Sequence, residues 1–162
     1  MSRLTTLLLF CALLLGAYAA TSGWEYVDCG DPSYPVQLDS IEISPDPPLP
    51  GHDLTVTVKA LVTDVIEEGA TADVTVKLGR IKLLQKKFDV CQEARNANAT
   101  VSCPVEPGPY EIVQTVALPK EIPKAKFMVL VRGLTVDEKD LVCLDIKIDF
   151  MKSISALFTS PF

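Results

Sequence analysis

The sequence predicts an all-β protein, a sandwich of two antiparallel sheets with about seven strands. Apolar and polar residues alternate with period two in several segments, which is typical of half-buried strands. All twelve prolines lie outside those segments, as expected because proline cannot donate to a strand ladder. Four of the five cysteines lie beyond an N-terminal leader, and an even number in an exported chain predicts two disulfides. Helical periodicity is absent, although one turn fits 91–97.

The alternation defines one apolar face in each of five segments. These faces comprise Leu54, Val56, Val58, Ala60 and Val62; Ala72, Val74, Val76 and Leu78; Tyr110, Ile112, Val116 and Leu118; Phe127, Val129 and Val131; and Leu144, Ile146, Ile148 and Phe150. Weaker strands fit 36–44 and 81–90. Strands with this spacing and proline turns between them indicate an immunoglobulin-like sandwich. Gly133 interrupts a strand and predicts a bulge or a close backbone approach.

Residues 1–19 have the pattern of a secretory signal peptide. Arg3 provides the positive end, Leu4 to Leu15 the apolar stretch, and Ala17-Tyr18-Ala19 the small-residue cleavage site. The apolar stretch is too short to span a bilayer, so we expect cleavage and a soluble product. The folded domain is then expected over 24–150, and 151–162 forms a tail to which no role is assigned. The protein is expected in the secretory pathway, either secreted or in a vacuolar or lysosomal lumen.

Cys29, Cys91, Cys103 and Cys143 allow three disulfide pairings. Sequence distance favours a local clip between Cys91 and Cys103 and a long-range bond between Cys29 and Cys143. Oxidised cysteines cannot serve as nucleophiles, and His52 lies in a Pro-Gly turn without a serine or cysteine partner. A single histidine and the absence of a Cys-x-x-Cys spacing argue against zinc. We therefore expect no catalytic residue, no metal and no cofactor.

The chain carries a formal net charge of −6, which disfavours nucleic acid as a partner. Against this background, five cations fall close together: Lys77, Arg80, Lys82, Lys86 and Lys87. The simpler interpretation is a solvated outer strand face. The alternative is a local patch that attracts the protein to anionic lipid.

Several segments resemble a known family. They are Trp24-Glu25-Tyr26-Val27-Asp28-Cys29-Gly30, Pro50-Gly51-His52-Asp53-Leu54-Thr55-Val56, Cys103-Pro104-Val105-Glu106-Pro107-Gly108-Pro109-Tyr110, Val131-Arg132-Gly133-Leu134-Thr135-Val136-Asp137 and Leu141-Val142-Cys143-Leu144-Asp145-Ile146. Together they closely resemble the ML-domain lipid-recognition family over Trp24 to Phe150. Within that family they are most similar to fungal phosphatidylglycerol/phosphatidylinositol transfer proteins, relatives of the Niemann–Pick type C sterol carrier. The sterol-carrier branch usually has a third disulfide, and no cysteine lies between Cys29 and Cys91 to form it.

The resemblance implies a lipid held between the two sheets and supports both favoured disulfides. It implies a monomeric carrier that moves phospholipid or sterol between membranes and contacts membrane surfaces transiently. The rival hypothesis is a recognition or adhesion module that binds a protein receptor without transferring lipid. The candidate lipid-binding residues are Val56, Val58, Val74, Val76, Ile112, Val116, Phe127, Val129, Val131, Ile146, Ile148 and Phe150. These side chains equally fit an ordinary packed core, because periodicity cannot distinguish a filled interior from one lined for lipid.

Two further expectations concern the Asn98 sequon and the N-terminal aromatic residues. Asn98-Ala99-Thr100 is a glycosylation sequon inside the short Cys91–Cys103 loop, so Asn98 is expected to be exposed and glycosylated. Trp24 and Tyr26 are expected to precede the first strand and to pack on the sandwich.

Overall fold

The computed structural model describes residues 22–96 and 101–151, which form eight strands and one helix. In chain order they are β1 Trp24–Asp28, β2 Val36–Ser44, β3 Asp53–Val62, β4 Thr71–Leu78, β5 Ile81–Asp89, α1 Val90–Asn96, β6 Gly108–Ala117, β7 Lys126–Leu134 and β8 Asp140–Asp149. The predicted signal peptide, the Asn98 sequon and the tail after Met151 lie outside the described residues.

The strands form two antiparallel sheets, so the predicted sandwich is confirmed. The larger sheet has the order β1-β8-β7-β4-β5, and the smaller has the order β2-β3-β6. The additional strand is β1, which pairs with β8 from Trp24 opposite Ile148 to Asp28 opposite Leu144. Its five residues are too few for period-two alternation to separate a strand from a lead-in segment.

The register brings the predicted apolar faces together. Directly opposite residues of antiparallel strands share a face, so their side chains interact across the pair. Ile112 lies opposite Val58 in the smaller sheet, and Val129 lies opposite Ile146 in the larger one. The two apolar faces therefore point into the space between the sheets.

Gly133 lies at a register shift between β7 and β8, which confirms the predicted bulge. A Cβ atom placed on Gly133 would lie 2.7 Å from Cγ1 of Val142, so the backbones also approach closely. Glycine is favoured at this position because a side chain would have to displace Val142.

The most tightly packed core occupies one end of the sandwich. There Val62, Ile66, Ala70, Val105 and Leu141 form a cluster of buried side chains. Elsewhere most inner-face side chains are only half-buried. Three strands cannot cover a sheet of five, and the side chains of β5 from position 81 to 87 are all exposed.

Both favoured disulfides are present. Cys29–Cys143 joins the residue after β1 to β8, where the Cys29 amide also donates to the Cys143 carbonyl oxygen at 3.1 Å. Cys91–Cys103 ties α1 to the segment before β6, and Cys91 is fully buried. The described helix confirms the turn expected near 91–97, and no helix in the described ranges has the length and apolar character to span a membrane.

We predict that the two disulfides contribute unequally to stability. The Cys91→Ala/Cys103→Ala variant should lose about 3 kcal/mol of unfolding free energy, and Cys29→Ala/Cys143→Ala about 5 kcal/mol. The difference follows from the sequence separations of 12 and 114 residues, because a longer closed loop restricts the unfolded chain more. Urea denaturation of both double variants checks this order. A larger loss on removal of the short clip would contradict the loop-closure explanation.

Candidate functional site

An apolar cavity of about 580 Å³ lies between the two sheets. Its wall is formed by both sheets, by α1, and by the segments that precede β4 and β6. The lining residues are Val36, Leu38, Val58, Ala60, Val62, Ile66, Ala72, Val90, Glu93, Ala94, Val101, Cys103, Val105, Tyr110, Ile112, Gln114, Val116, Gly133, Leu141 and Val142. A cavity of this size and composition is suited to an apolar ligand.

The buried cluster closes one end of this cavity. Val62, Ile66, Val105 and Leu141 belong both to the cluster and to the lining. Ile66 and Val105 exchange two backbone hydrogen bonds, each of 3.0 Å, which hold the segments after β3 and before β6 together. Cys103 lines the wall beside them and is fixed to α1 by its disulfide. The closed end is therefore cross-linked both by hydrogen bonds and covalently.

Small residues create the free volume. Ala60 lies on β3, and Ala72 and Gly133 are paired directly across β4 and β7 in the facing sheet. All three line the cavity. Because these positions carry a methyl group or no side chain, the sheets are held apart by their neighbours without filling the space between them.

Polar groups in the lining are sparse. Glu93 and Gln114 are the charged and amide side chains among the described lining residues. Gln114 is half-buried on the inner face of β6, opposite Val56, whereas Glu93 is exposed on α1. The Tyr110 hydroxyl donates to the Glu106 carbonyl oxygen at 2.8 Å, so it is already occupied by a loop. A lining with so few polar groups is suited to hydrocarbon.

Three of the predicted lipid-binding residues, Val58, Ile112 and Val116, border the cavity. The other nine do not border the cavity, and their contact with lipid remains a prediction. They are Val56, Val74, Val76, Phe127, Val129, Val131, Ile146, Ile148 and Phe150. The period of a strand indicates which face a residue occupies but not the position along the strand where the sheets separate.

Sequence reasoning missed the small and polar lining residues. Ala60 and Ala72 lie on predicted inner faces but are not among the candidates, and neither are apolar lining residues such as Val36, Val90 and Val105. Gln114 interrupts an otherwise apolar face between Ile112 and Val116. That interruption was the available signal, because a polar residue at an inner position must face something other than a packed core.

The clearest pKa shifts occur away from the cavity. Desolvation raises the pKa of Tyr34, and the Asp140 carboxylate acts in the same direction. Hydrogen bonds from Ser33 lower the pKa of Asp31. None of these residues borders the cavity. His52 is exposed, as predicted, with Nδ1 at 3.2 Å from the Pro50 carbonyl oxygen. These shifts reflect local hydrogen bonds and burial around Asp31 and Tyr34.

Comparison with known proteins places the chain in a family. A family model described as the ML domain matches residues 23–150. The chain belongs to the ML-domain family. A protein of Cryptococcus neoformans var. neoformans serotype D, named phosphatidylglycerol/phosphatidylinositol transfer protein, is 64% identical over 137 residues. The matched region covers 85% of this ML-domain chain and 76% of that relative.

Solved structures agree with this fold. The Niemann–Pick type C2 protein of the Japanese carpenter ant superposes with a TM-score of 0.60 at 16% identity, covering 77% of this chain and 98% of the ant protein. Chicken MD-1 complexed with lipid IVa gives a TM-score of 0.57 at 16% identity, covering 81% of this chain and 93% of MD-1. At these identities the likeness establishes the sandwich architecture of the ML domain.

We predict that Gly133→Ala destabilises this ML domain by about 1 to 3 kcal/mol, the usual cost of overpacking. The new methyl group would meet Val142 Cγ1 at 2.7 Å and the Val142 amide nitrogen at 3.4 Å. Val142→Ala removes the first of these contacts. The double variant Gly133→Ala/Val142→Ala should therefore lose less free energy than the sum of the two single variants. Urea denaturation of all four proteins measures this coupling, and simple additivity would show that the contact is not the cause.

Proposed function

We propose that this protein is a lipid carrier, which takes a phospholipid or sterol from one membrane and delivers it to another. The apolar cavity between the sheets carries this proposal, because it offers hydrocarbon a dry environment in which few polar groups need partners. The cargo's apolar part lies between the sheets, and its polar part lies at the rim.

Moving a lipid between membranes requires shielding its hydrocarbon chain from water, which an apolar cavity can do. Exposing a lipid chain to water costs about 0.8 kcal/mol per methylene group. A sixteen-carbon chain therefore faces a cost on the order of 12 kcal/mol, which makes unassisted exchange slow. A protein interior lowers this cost by replacing bilayer contacts with side-chain contacts. No covalent bond is made or broken, so the proposed activity is not enzymatic and needs no cofactor.

The polar lining residues support a phospholipid with a hydroxyl-rich head group. The Gln114 amide can donate a hydrogen bond to an ester or phosphate oxygen, and the Glu93 carboxylate can accept one from a glycerol or inositol hydroxyl. The name of the Cryptococcus relative, a phosphatidylglycerol/phosphatidylinositol transfer protein, supports the same choice. Sterol is the alternative cargo, since its single hydroxyl needs fewer polar partners.

The two disulfides are typical of an oxidising compartment, which fits the secretory pathway. We propose that the carrier acts there as a monomer, either secreted or in a vacuolar or lysosomal lumen. Contact with each membrane is transient. A receptor-binding module of the same fold would instead keep its lipid and need a protein partner, so transfer between pure vesicles separates the two functions.

We predict that Ala60→Phe abolishes most lipid transfer. Ala60 lines the cavity from β3, and a phenyl group there would fill space that the cargo needs. Leu61→Phe is the matched control, because Leu61 is the next residue and is 47% exposed on the other face of the strand. The measurement is transfer of fluorescent phosphatidylglycerol between vesicles, with native mass spectrometry of bound lipid.

The expected result is at least a tenfold slower transfer and loss of bound lipid for Ala60→Phe, with little change for Leu61→Phe. A tenfold effect corresponds to about 1.4 kcal/mol of lost cargo stabilisation. Equal transfer by both variants, or absence of lipid and transfer in the unmodified protein, would reject the carrier function.

A further inference from the structure

The β4–β5 hairpin has an unusual charge. Residues 77–87 contain five cations and no acidic residue, in a chain with a net charge of −6. Subtracting these five positive charges from −6 leaves −11 for the rest of the chain. The hairpin is therefore a net positive segment of a chain whose remaining residues are net negative.

The same hairpin exposes aliphatic side chains. Ile81 is 65% exposed, Leu83 51% and Leu84 50%. They alternate along the chain with Arg80, Lys82 and the Lys86-Lys87 pair. We call the set Lys77, Arg80, Ile81, Lys82, Leu83, Leu84, Lys86 and Lys87 the hairpin patch. Adjacent exposed apolar residues in a folded protein mark an interaction surface more often than scattered ones do.

The sheet topology explains why this surface is uncovered. β5 is the edge strand of the five-stranded sheet, and the smaller sheet is two strands narrower. The turn before β5 contains Gly79 with φ of +57°, and a Cβ atom placed there would meet nothing within 4 Å. A side chain at position 79 would therefore face open space at the hairpin tip.

Within the described part of the chain, most of the hairpin's charge is not neutralised. Lys87 Nζ lies 3.8 Å from Oδ2 of Asp73. Lys82 Nζ donates to the neutral Gln85 amide oxygen at 2.7 Å, and Lys86 Nζ lies 4.4 Å from the centre of the Phe88 ring. Of the five cations, Lys87 alone has a described carboxylate within 4 Å. The others are available to anions outside the protein.

We propose that the hairpin patch is the element that docks this carrier on an anionic phospholipid bilayer. The aliphatic side chains enter the head-group region while the cations contact lipid phosphates, the combination by which interfacial segments bind membranes. The acidic remainder of the chain is repelled by the same surface, so the hairpin faces the membrane. This inference rests on the carrier function and identifies the surface that the carrier uses.

The register connects the hairpin patch to the inside of the sandwich. Leu84 lies opposite Val76, and Lys86 lies opposite Val74, so both share the inner face of the larger sheet. That face lines the space between the sheets, and the cavity begins farther along β4 at Ala72. On β4, the inner-face residues Leu78, Val76, Val74 and Ala72 form an apolar row from the hairpin to the cavity, with Lys86 beside it on β5. A lipid leaving a bilayer at the hairpin would follow this row.

The test is sedimentation of the protein with vesicles of phosphatidylcholine alone or mixed with phosphatidylglycerol. In the hairpin variant Lys77→Gln/Arg80→Gln/Lys82→Gln, each lost cation should weaken binding to the mixed vesicles roughly fivefold, or on the order of 100-fold together at low ionic strength. The matched control Lys120→Gln/Lys124→Gln/Lys139→Gln has the same net charge but leaves the hairpin intact. It should bind close to the unmodified protein. Equal weakening of both variants would show that only net charge matters and would overturn the proposal.

A second pair of variants tests the aliphatic side chains. Ile81→Ser/Leu83→Ser should weaken vesicle binding about tenfold even at high salt, where charge is screened. The control Val113→Ser/Val136→Ser changes two exposed valines outside the hairpin, which are 57% and 51% exposed. It should have little effect on vesicle binding. Unchanged binding by the hairpin variant would overturn insertion. Circular dichroism of each variant establishes that it is folded.

Measurement of bound lipid distinguishes failure of the docking surface from failure of the carrier function. Native mass spectrometry should find cargo in the hairpin variants as in the unmodified protein, because none of the altered residues borders the cavity. Cargo present with unchanged vesicle binding would reject the docking surface alone. Absence of cargo from every protein would reject the carrier function, whatever the vesicle result.

Discussion

The cross-linked closed end of the sandwich holds the two sheets together. There, a buried cluster joins the two sheets beside the Ile66–Val105 hydrogen bonds and the Cys91–Cys103 disulfide. Toward the other end, their apolar faces are half-buried and the cavity begins. A sandwich anchored at one end can keep its sheets in register while the remaining space is left to a ligand.

The space between the sheets can hold a ligand, but its lining residues make fewer packing contacts than those of a filled core. A close-packed interior maximises dispersion contacts, whereas the lining of a void loses contacts on one side. The covalent bonds offset part of that loss by restricting the unfolded chain. A ligand that binds only the folded state adds stability in proportion to the logarithm of its concentration. The protein is therefore expected to be more stable when loaded than when empty.

Much of this fold could be predicted from the sequence, because strands, prolines and cysteines leave direct local signals. The apolar faces, both disulfides and the bulge at Gly133 are each visible as a spacing or a residue type. The lining of the cavity was less accessible. It depends on where along their length two sheets diverge, which is decided by long-range contacts such as Ile66 with Val105. The short strand β1 was missed because its partner β8 is more than a hundred residues away.

The cavity also determines how the protein should respond to hydrostatic pressure. Pressure favours the state of smaller total volume, and internal voids are eliminated when a chain unfolds. We expect the empty protein to unfold at a lower pressure than the loaded one, because a bound ligand fills space of about 580 Å³ between the sheets. A cargo molecule that fills the void removes this weakness. In the proposed carrier, the bound lipid would serve as a replaceable part of the hydrophobic core, so loading and unloading would change the packing of the protein itself.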